Sequence, residues 1–158
     1  MNKLVKIITL ITLILVTHSC SYKPIFSKKS YDFKIVQTNF SGDKKINSII
    51  KRKLKFIKSE NTKIDKLYFL NINTAQNRKV ISKDSAGDPS KFEISIETDF
   101  EISDNKKLLL SRNIKQKNIY NNESDKFKLQ ESEKIIIENL SEKISDSIIS
   151  SIINLNDN

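Results

Sequence analysis

Few side chains in this 158-residue sequence can do covalent chemistry, and the two best candidates stand almost together: Cys20 is the only cysteine and His18 the only histidine. A lone thiol forms no intrachain disulfide, so the fold rests on packing. With His18 confined to the N-terminus, the rest of the chain has no imidazole for proton transfer, nucleophile activation or metal ligation. The sequence holds no Ser-His-Asp set, zinc-ligand cluster, Walker loop or glycine-rich dinucleotide turn. Glu97 and Asp99 alternate with apolar residues, which places them on an outer strand face with nothing to raise a carboxyl pKa. Glu131, Glu133 and Glu138 read as a solvated helix face. No catalytic residue, metal ligand or cofactor is expected, and the chain reads as a non-enzyme.

The surroundings of Cys20 suggest a different use for its sulfur. Lys3 and Lys6 precede residues 7–16, an uncharged run of mostly Ile and Leu. At ~1.5 Å per residue such a run is too short to cross a ~30 Å hydrocarbon core as a helix, and it fits the apolar part of a signal peptide. Thr17, His18 and Ser19 then lead into Cys20. A free cysteine is most often a buried small hydrophobe, but this one sits at the edge of an apolar run. The arrangement resembles a bacterial lipoprotein signal, whose cysteine is diacylated, becomes the new N-terminus and is acylated again. Ser19 matches the small residue expected before that cysteine, while Thr17 and His18 stand where an aliphatic and a small residue are usual. The resemblance implies a signal peptide over 1–19, lipidation at Cys20 and a tether over 20–30. Ser21, standing where an aspartate commonly holds such proteins at the inner membrane, points to the outer membrane with the domain on the periplasmic side.

Composition bounds the remainder. Beyond the signal, residues 20–158 suffice for one core, expected as a single domain over 31–155. Two glycines and two prolines exclude collagen-like or Pro/Gly-rich disorder. The net charge of +9 is uneven: residues 1–60 hold 13 Lys and Arg against 3 acids, and residues 61–158 hold 15 against 16. A basic patch often marks nucleic acid, but an exported chain meets anionic lipids and lipopolysaccharide instead, so no nucleic-acid partner is expected.

Periodicity then supplies the elements. Phe33 and Ile35 alternate with Asp32 and Lys34 as a short strand, broken at Ser41-Gly42-Asp43, where Asp43 is placed to cap a helix. Ile46, Ile49, Ile50, Leu54 and Ile57 recur at helical spacing over residues 44–58, opposite Lys44, Lys45, Lys51, Arg52, Lys53, Lys55 and Lys58. A second strand starts near Leu67 and continues, with a bend, through Val80 and Ile81. Ala86-Gly87-Asp88-Pro89 is the strongest turn signal. Phe92, Ile94, Ile96, Thr98, Phe100 and Ile102 alternate strictly with polar residues, a half-exposed strand whose outer face carries Glu93, Glu97 and Glu101. A fourth strand follows over 107–120, with Leu108, Leu110 and Ile114 facing inward. A long helix is expected from Asn122, its cap, to about Asn154, with the stripe Ile136, Leu140, Ile144, Ile148 and Ile152 and a solvated small-residue side at Ser141, Ser145 and Ser150. The order β-α-β-β-β-α predicts an α+β two-layer sandwich: a four-stranded mixed sheet with both helices on one face.

This element order, with several local features, resembles the LPS-assembly lipoprotein LptE family. Just after its cysteine that family shows an aromatic, one residue, proline, an aliphatic and an aromatic; here these are Tyr22, Lys23, Pro24, Ile25 and Phe26. The alternating strand from Phe92 and the passage from Tyr120 to Phe127 into a long C-terminal helix are similar too, so the resemblance spans essentially the whole mature chain. The lysine run of the first helix is not typical of it. The resemblance implies a non-catalytic outer-membrane subunit that plugs and stabilises an LptD-like β-barrel and contacts lipopolysaccharide. Lipid A phosphates would be met by cations near strand ends and turns: Arg78, Lys79, Lys83, Lys91, Arg112, Lys115 and Lys117. Solvated surface charge is the plainer reading of each. A free-standing envelope lipoprotein acting as a scaffold remains the alternative function.

Overall fold

A computed structural model describes residues 33–55, 57, 66–105 and 107–156; the expected signal peptide, Cys20 and the tether lie outside them. Four strands, β1 (Phe33–Gly42), β2 (Lys66–Lys83), β3 (Pro89–Ser103) and β4 (Leu108–Asn121), form one mixed sheet in the order β1-β2-β3-β4. β1 runs parallel to β2, and the other two pairings are antiparallel. Two helices, α1 (Lys44–Leu54) and α2 (Lys126–Asn156), pack on one face. The α+β sandwich and its element order are those expected from the periodicity.

Local chemistry explains the joints. Asp43 caps α1, its carboxylate accepting from the Lys45 and Ile46 amides at 2.8 and 3.0 Å. Gly42, at φ +85°, makes the turn from β1 into α1. The corner is tied to β2 by the Asp43 amide, which donates to the Thr74 carbonyl at 3.0 Å, and by the Thr74 hydroxyl, which donates to Asn47 at 2.8 Å. α1 ends at Leu54 rather than near Lys58. In β1 a bulge leaves Val36 unpaired and 47% exposed, so the inward face passes from Phe33 and Ile35 to Thr38 and Phe40. α2 starts four residues later than expected. Asp125, not Asn122, accepts from its first amides, while the Asn122 side chain donates to the Pro89 carbonyl at 2.7 Å.

The core lies between the layers. Leu70, Ile72, Ile94, Ile96, Phe100 and Ile102 from the sheet meet Ile46 and Ile50 of α1 and Leu140, Ile144, Ile148 and Ile152 of α2. Ser141 and Ser145, expected in solvent, are fully buried, and each hydroxyl donates to the carbonyl four residues back. Leu110 and Ile114 pack against this core as expected, whereas Leu108 is exposed. β1 pairs with β2 only as far as Thr74, so among the described residues, 75–83 of β2 have a strand on one side alone. The sheet is thus four strands wide at one end and three at the β2–β3 hairpin.

Candidate functional site

With both helices on one face, no described residue outside the strands covers the other face of the sheet, and its chemistry follows from strand alternation. At the wide end the outward residues are Gln37, Asn39 and Ser41 of β1, Leu67, Phe69, Asn71 and Asn73 of β2, Asp99 and Glu101 of β3, and Ser111 and Asn113 of β4. Gln37 donates to Asn39 along β1 at 2.8 Å, and two bonds cross to β2, from Asn39 to Asn71 at 3.0 Å and from Ser41 to Asn73 at 2.9 Å. Asn113 donates to Asp99 at 2.7 Å and to Glu97 at 3.1 Å. The surface is mainly carboxamide and hydroxyl, with Leu67 and Phe69 at one end of β2 and acids along β3.

Toward the hairpin the same face becomes a set of ion pairs. Lys115 meets Glu97 at 3.2 Å, and Glu93 lies between Lys79 at 3.0 Å and Lys117 at 3.7 Å. Glu93 was expected in water with Glu97 and Glu101, yet only 8% of it is exposed, because its strand is central and long neighbouring side chains close over it. The hydrogen bond from Lys79, reinforced by the charges of Lys79 and Lys117, lowers its carboxyl pKa against the opposing effect of burial.

The helix-side surface of the same end carries a second network. Arg78 Nε donates to the Tyr120 hydroxyl at 3.0 Å and to Glu133 of α2 at 2.9 Å, with its guanidinium 3.7 Å from the Phe92 ring centre. The Tyr120 hydroxyl donates to Glu133 at 2.6 Å, and the Phe92 and Tyr120 rings stack at 5.7 Å. Burial first, then the hydrogen bond to Glu133, pushes the Tyr120 pKa up to about 12. The first network ties β2, β3 and β4 together, and the second ties β2 and β4 to α2.

The seven cations named from sequence therefore separate. Lys79, Lys115 and Lys117 stand on the open face with Glu93 and Glu97 as partners. Lys83 and Lys91 are exposed beside them where β2 and β3 approach their turn. Arg78 and Arg112 are on the helix side, Arg78 held by Glu133 and Arg112 within 3.5 Å of the Ser151 hydroxyl. Sequence reading missed the carboxamide surface, although alternation of Asn71 and Asn73 with Leu70 and Ile72 carried the signal. Among the described residues no cluster of three or more His, Cys, Asp or Glu side chains could hold a metal ion, and no helix is long and apolar enough to cross a membrane.

No protein-family model matches the chain, and no curated protein matches it. Solved structures do share its fold. Rare lipoprotein B from Shewanella oneidensis superposes with a TM-score of 0.53 at 17% identity, covering 75% of this chain and 98% of that one. An uncharacterized lipoprotein B from Nitrosomonas europaea gives 0.56 at 13% identity over 82% and 88% of the two chains. A minor lipoprotein from Acinetobacter baumannii gives 0.51 at 15% identity over 75% and 94%. At such identities the likeness is one of fold.

Proposed function

We propose that this chain is a non-catalytic outer-membrane lipoprotein, anchored through Cys20, that seats itself in an LptD-like β-barrel and contacts lipopolysaccharide on its way to the outer membrane. The observation that carries this reading is the open sheet face. It is broad and mainly polar, with side-chain hydrogen bonds joining β1 to β2 and β3 to β4, a surface suited to the polar lumen of a barrel and ill suited to a hydrocarbon phase. The fold it shares with three lipoproteins supports the same reading, as does the cysteine at the edge of an apolar N-terminal run. Lipopolysaccharide phosphates are assigned to the hairpin end, where Lys79, Lys83, Lys91, Lys115 and Lys117 gather; Arg78 and Arg112 contribute only by leaving their partners on α2.

Affinity purification from detergent-solubilised outer membranes tests the assembly. A large β-barrel is expected at near-equal amount, and its absence leaves the alternative, a free-standing scaffold lipoprotein of the envelope. Neutralising Lys79, Lys83 and Lys91 together with glutamine is expected to weaken lipopolysaccharide binding while the barrel still co-purifies. Unchanged binding removes the site assignment.

A further inference from the structure

α1 carries a charge that neither the core nor the open sheet face uses. Its buried side is Ile46, Ile49, Ile50 and Leu54, and it contains five cations and no acid from Lys44 to Leu54. Two of these are spoken for: Arg52 meets Glu138 at 3.2 Å and Lys53 meets Glu142 at 3.6 Å, both on α2. Lys44 and Lys51, with Lys55 at the C-cap, fall on the opposite flank at spacings of seven and four residues, a single stripe. Among the described residues no acid pairs with any of the three. Beside this stripe, between α1 and the β1 edge, runs a groove of about 300 Å³ floored by Ile35, Phe40, Leu54 and Ile57 and rimmed by Lys51 and Lys55. An apolar floor beneath a cationic rim matches the edge of an anionic bilayer, phosphate outside and glycerol or acyl carbon inside.

The position of the groove names the occupant. Ile35 lies two residues past Phe33, where the chain from Cys20 joins the sheet, and residues 21–32 span at most roughly 40 Å when extended. An acyl anchor at Cys20 therefore keeps this flank within reach of the leaflet that holds it. We propose that the Lys44–Lys51–Lys55 stripe and the α1/β1 groove dock on anionic phospholipid of that leaflet, fixing the orientation of the domain on the membrane. This rests on the reading of Cys20 as acylated, and it concerns a surface distinct from the open sheet face.

The test uses the acylated full chain on vesicles. Because Cys20 is the only native cysteine and acylation consumes its thiol, Ser48→Cys, exposed between Lys44 and Lys51, takes an environment-sensitive fluorophore alone. On vesicles with 30% phosphatidylglycerol the probe is expected to shift to shorter wavelength, and the shift disappears in high salt or on pure phosphatidylcholine. Lys44, Lys51 and Lys55 changed together to Gln lower the docked-to-free ratio by roughly 100-fold, and changed to Glu they lower it further. Changing Lys126 and Lys128 at the other end of the molecule leaves it unaltered. Intact mass on the same samples reads the acyl chains, so the two failures are distinct. Missing acyl mass overturns the anchor and the proposal with it. A fully acylated chain with the same probe spectrum on both vesicles overturns the docking alone, as expected if the stripe faces an acidic protein surface instead.

Discussion

Between Lys79 and Lys117 the Glu93 carboxylate has given up nearly all contact with water, and the two lysines hold its pKa below the ordinary glutamate value. A carboxylate depressed in this way stabilises the folded state above its unfolded pKa, and that stabilisation is lost as pH falls through the folded value. Glu93→Gln keeps the shape, removes the charge and leaves two ammonium groups facing a neutral amide. Its urea midpoint is expected to lie below that of the wild type at pH 7, with the gap closing below about pH 4. A gap unchanged by acid means that packing, not charge, is what the glutamate contributes. Tyr120 works in the opposite sense. Its pKa of about 12 lies above the usual 10, so the hydroxyl network stabilises fully below pH 10 and is lost as pH rises toward 12. Tyr120→Phe is expected to cost about 1.5–3 kcal/mol at pH 7, because it removes the donor to the Glu133 carboxylate and the acceptor of Arg78. Burial and then Asp104 also raise Tyr68, so the measure is the difference between wild type and variant in alkaline unfolding, which should shrink above pH 10.

At the scale of elements the two glycines separate conformational strain from crowding. Both have positive φ, +85° at Gly42 and +88° at Gly87. A Cβ on Gly42 would run into the Thr74 carbonyl, whereas a Cβ on Gly87 meets nothing within 4 Å. Gly87→Ala is expected to cost about 1–2 kcal/mol, the backbone penalty alone. Gly42→Ala is expected to cost about 3 kcal/mol or more, because it also breaks the joint of β1, α1 and β2. Thermal or urea unfolding of the two variants ranks them, and equal losses would mean that the Gly42 corner yields. That corner was legible beforehand, since Ser41-Gly42-Asp43 combines a breaker with a cap, and the strict alternation from Phe92 to Ile102 identified β3. The bulge at Val36 was not, because one extra residue in a parallel pair leaves no compositional mark. Nor was the burial of Glu93: alternation assigns a face, but only neighbouring strands decide how crowded that face becomes. The serines of α2 misled for a similar reason. Hydroxyls that bond their own helix need no water, so Ser141 and Ser145 enter the core.

Over the whole molecule α2 joins two regions of unequal thickness. Its C-terminal half lays Ile144, Ile148 and Ile152, all fully buried, on the core shared with α1, while toward its N-terminus Glu133, one turn on from buried Leu129, bonds Arg78 and Tyr120 of the three-stranded hairpin end. A strand segment with one neighbour opens more readily than one held on both sides, because fewer buried contacts are broken on opening. Amides of Leu70 and Ile72, flanked by β1 and β3, are therefore expected to exchange at the rate of global unfolding, and those of β2 residues 76–82 faster. Ile148→Ala, leaving a void in the shared core, should cost about 3–4 kcal/mol and speed exchange everywhere. Leu129→Ala should act chiefly on residues 76–82 and 117–121. Uniform exchange across β2 would instead mean one cooperative unit from end to end. The gradient also bears on the proposed assembly. Open sheet face and hairpin end are the surfaces assigned to barrel and lipopolysaccharide, so the purified complex should slow exchange over 76–82 well beyond its effect on Leu70 and Ile72. A barrel that binds elsewhere would leave that ratio as it is in the free chain.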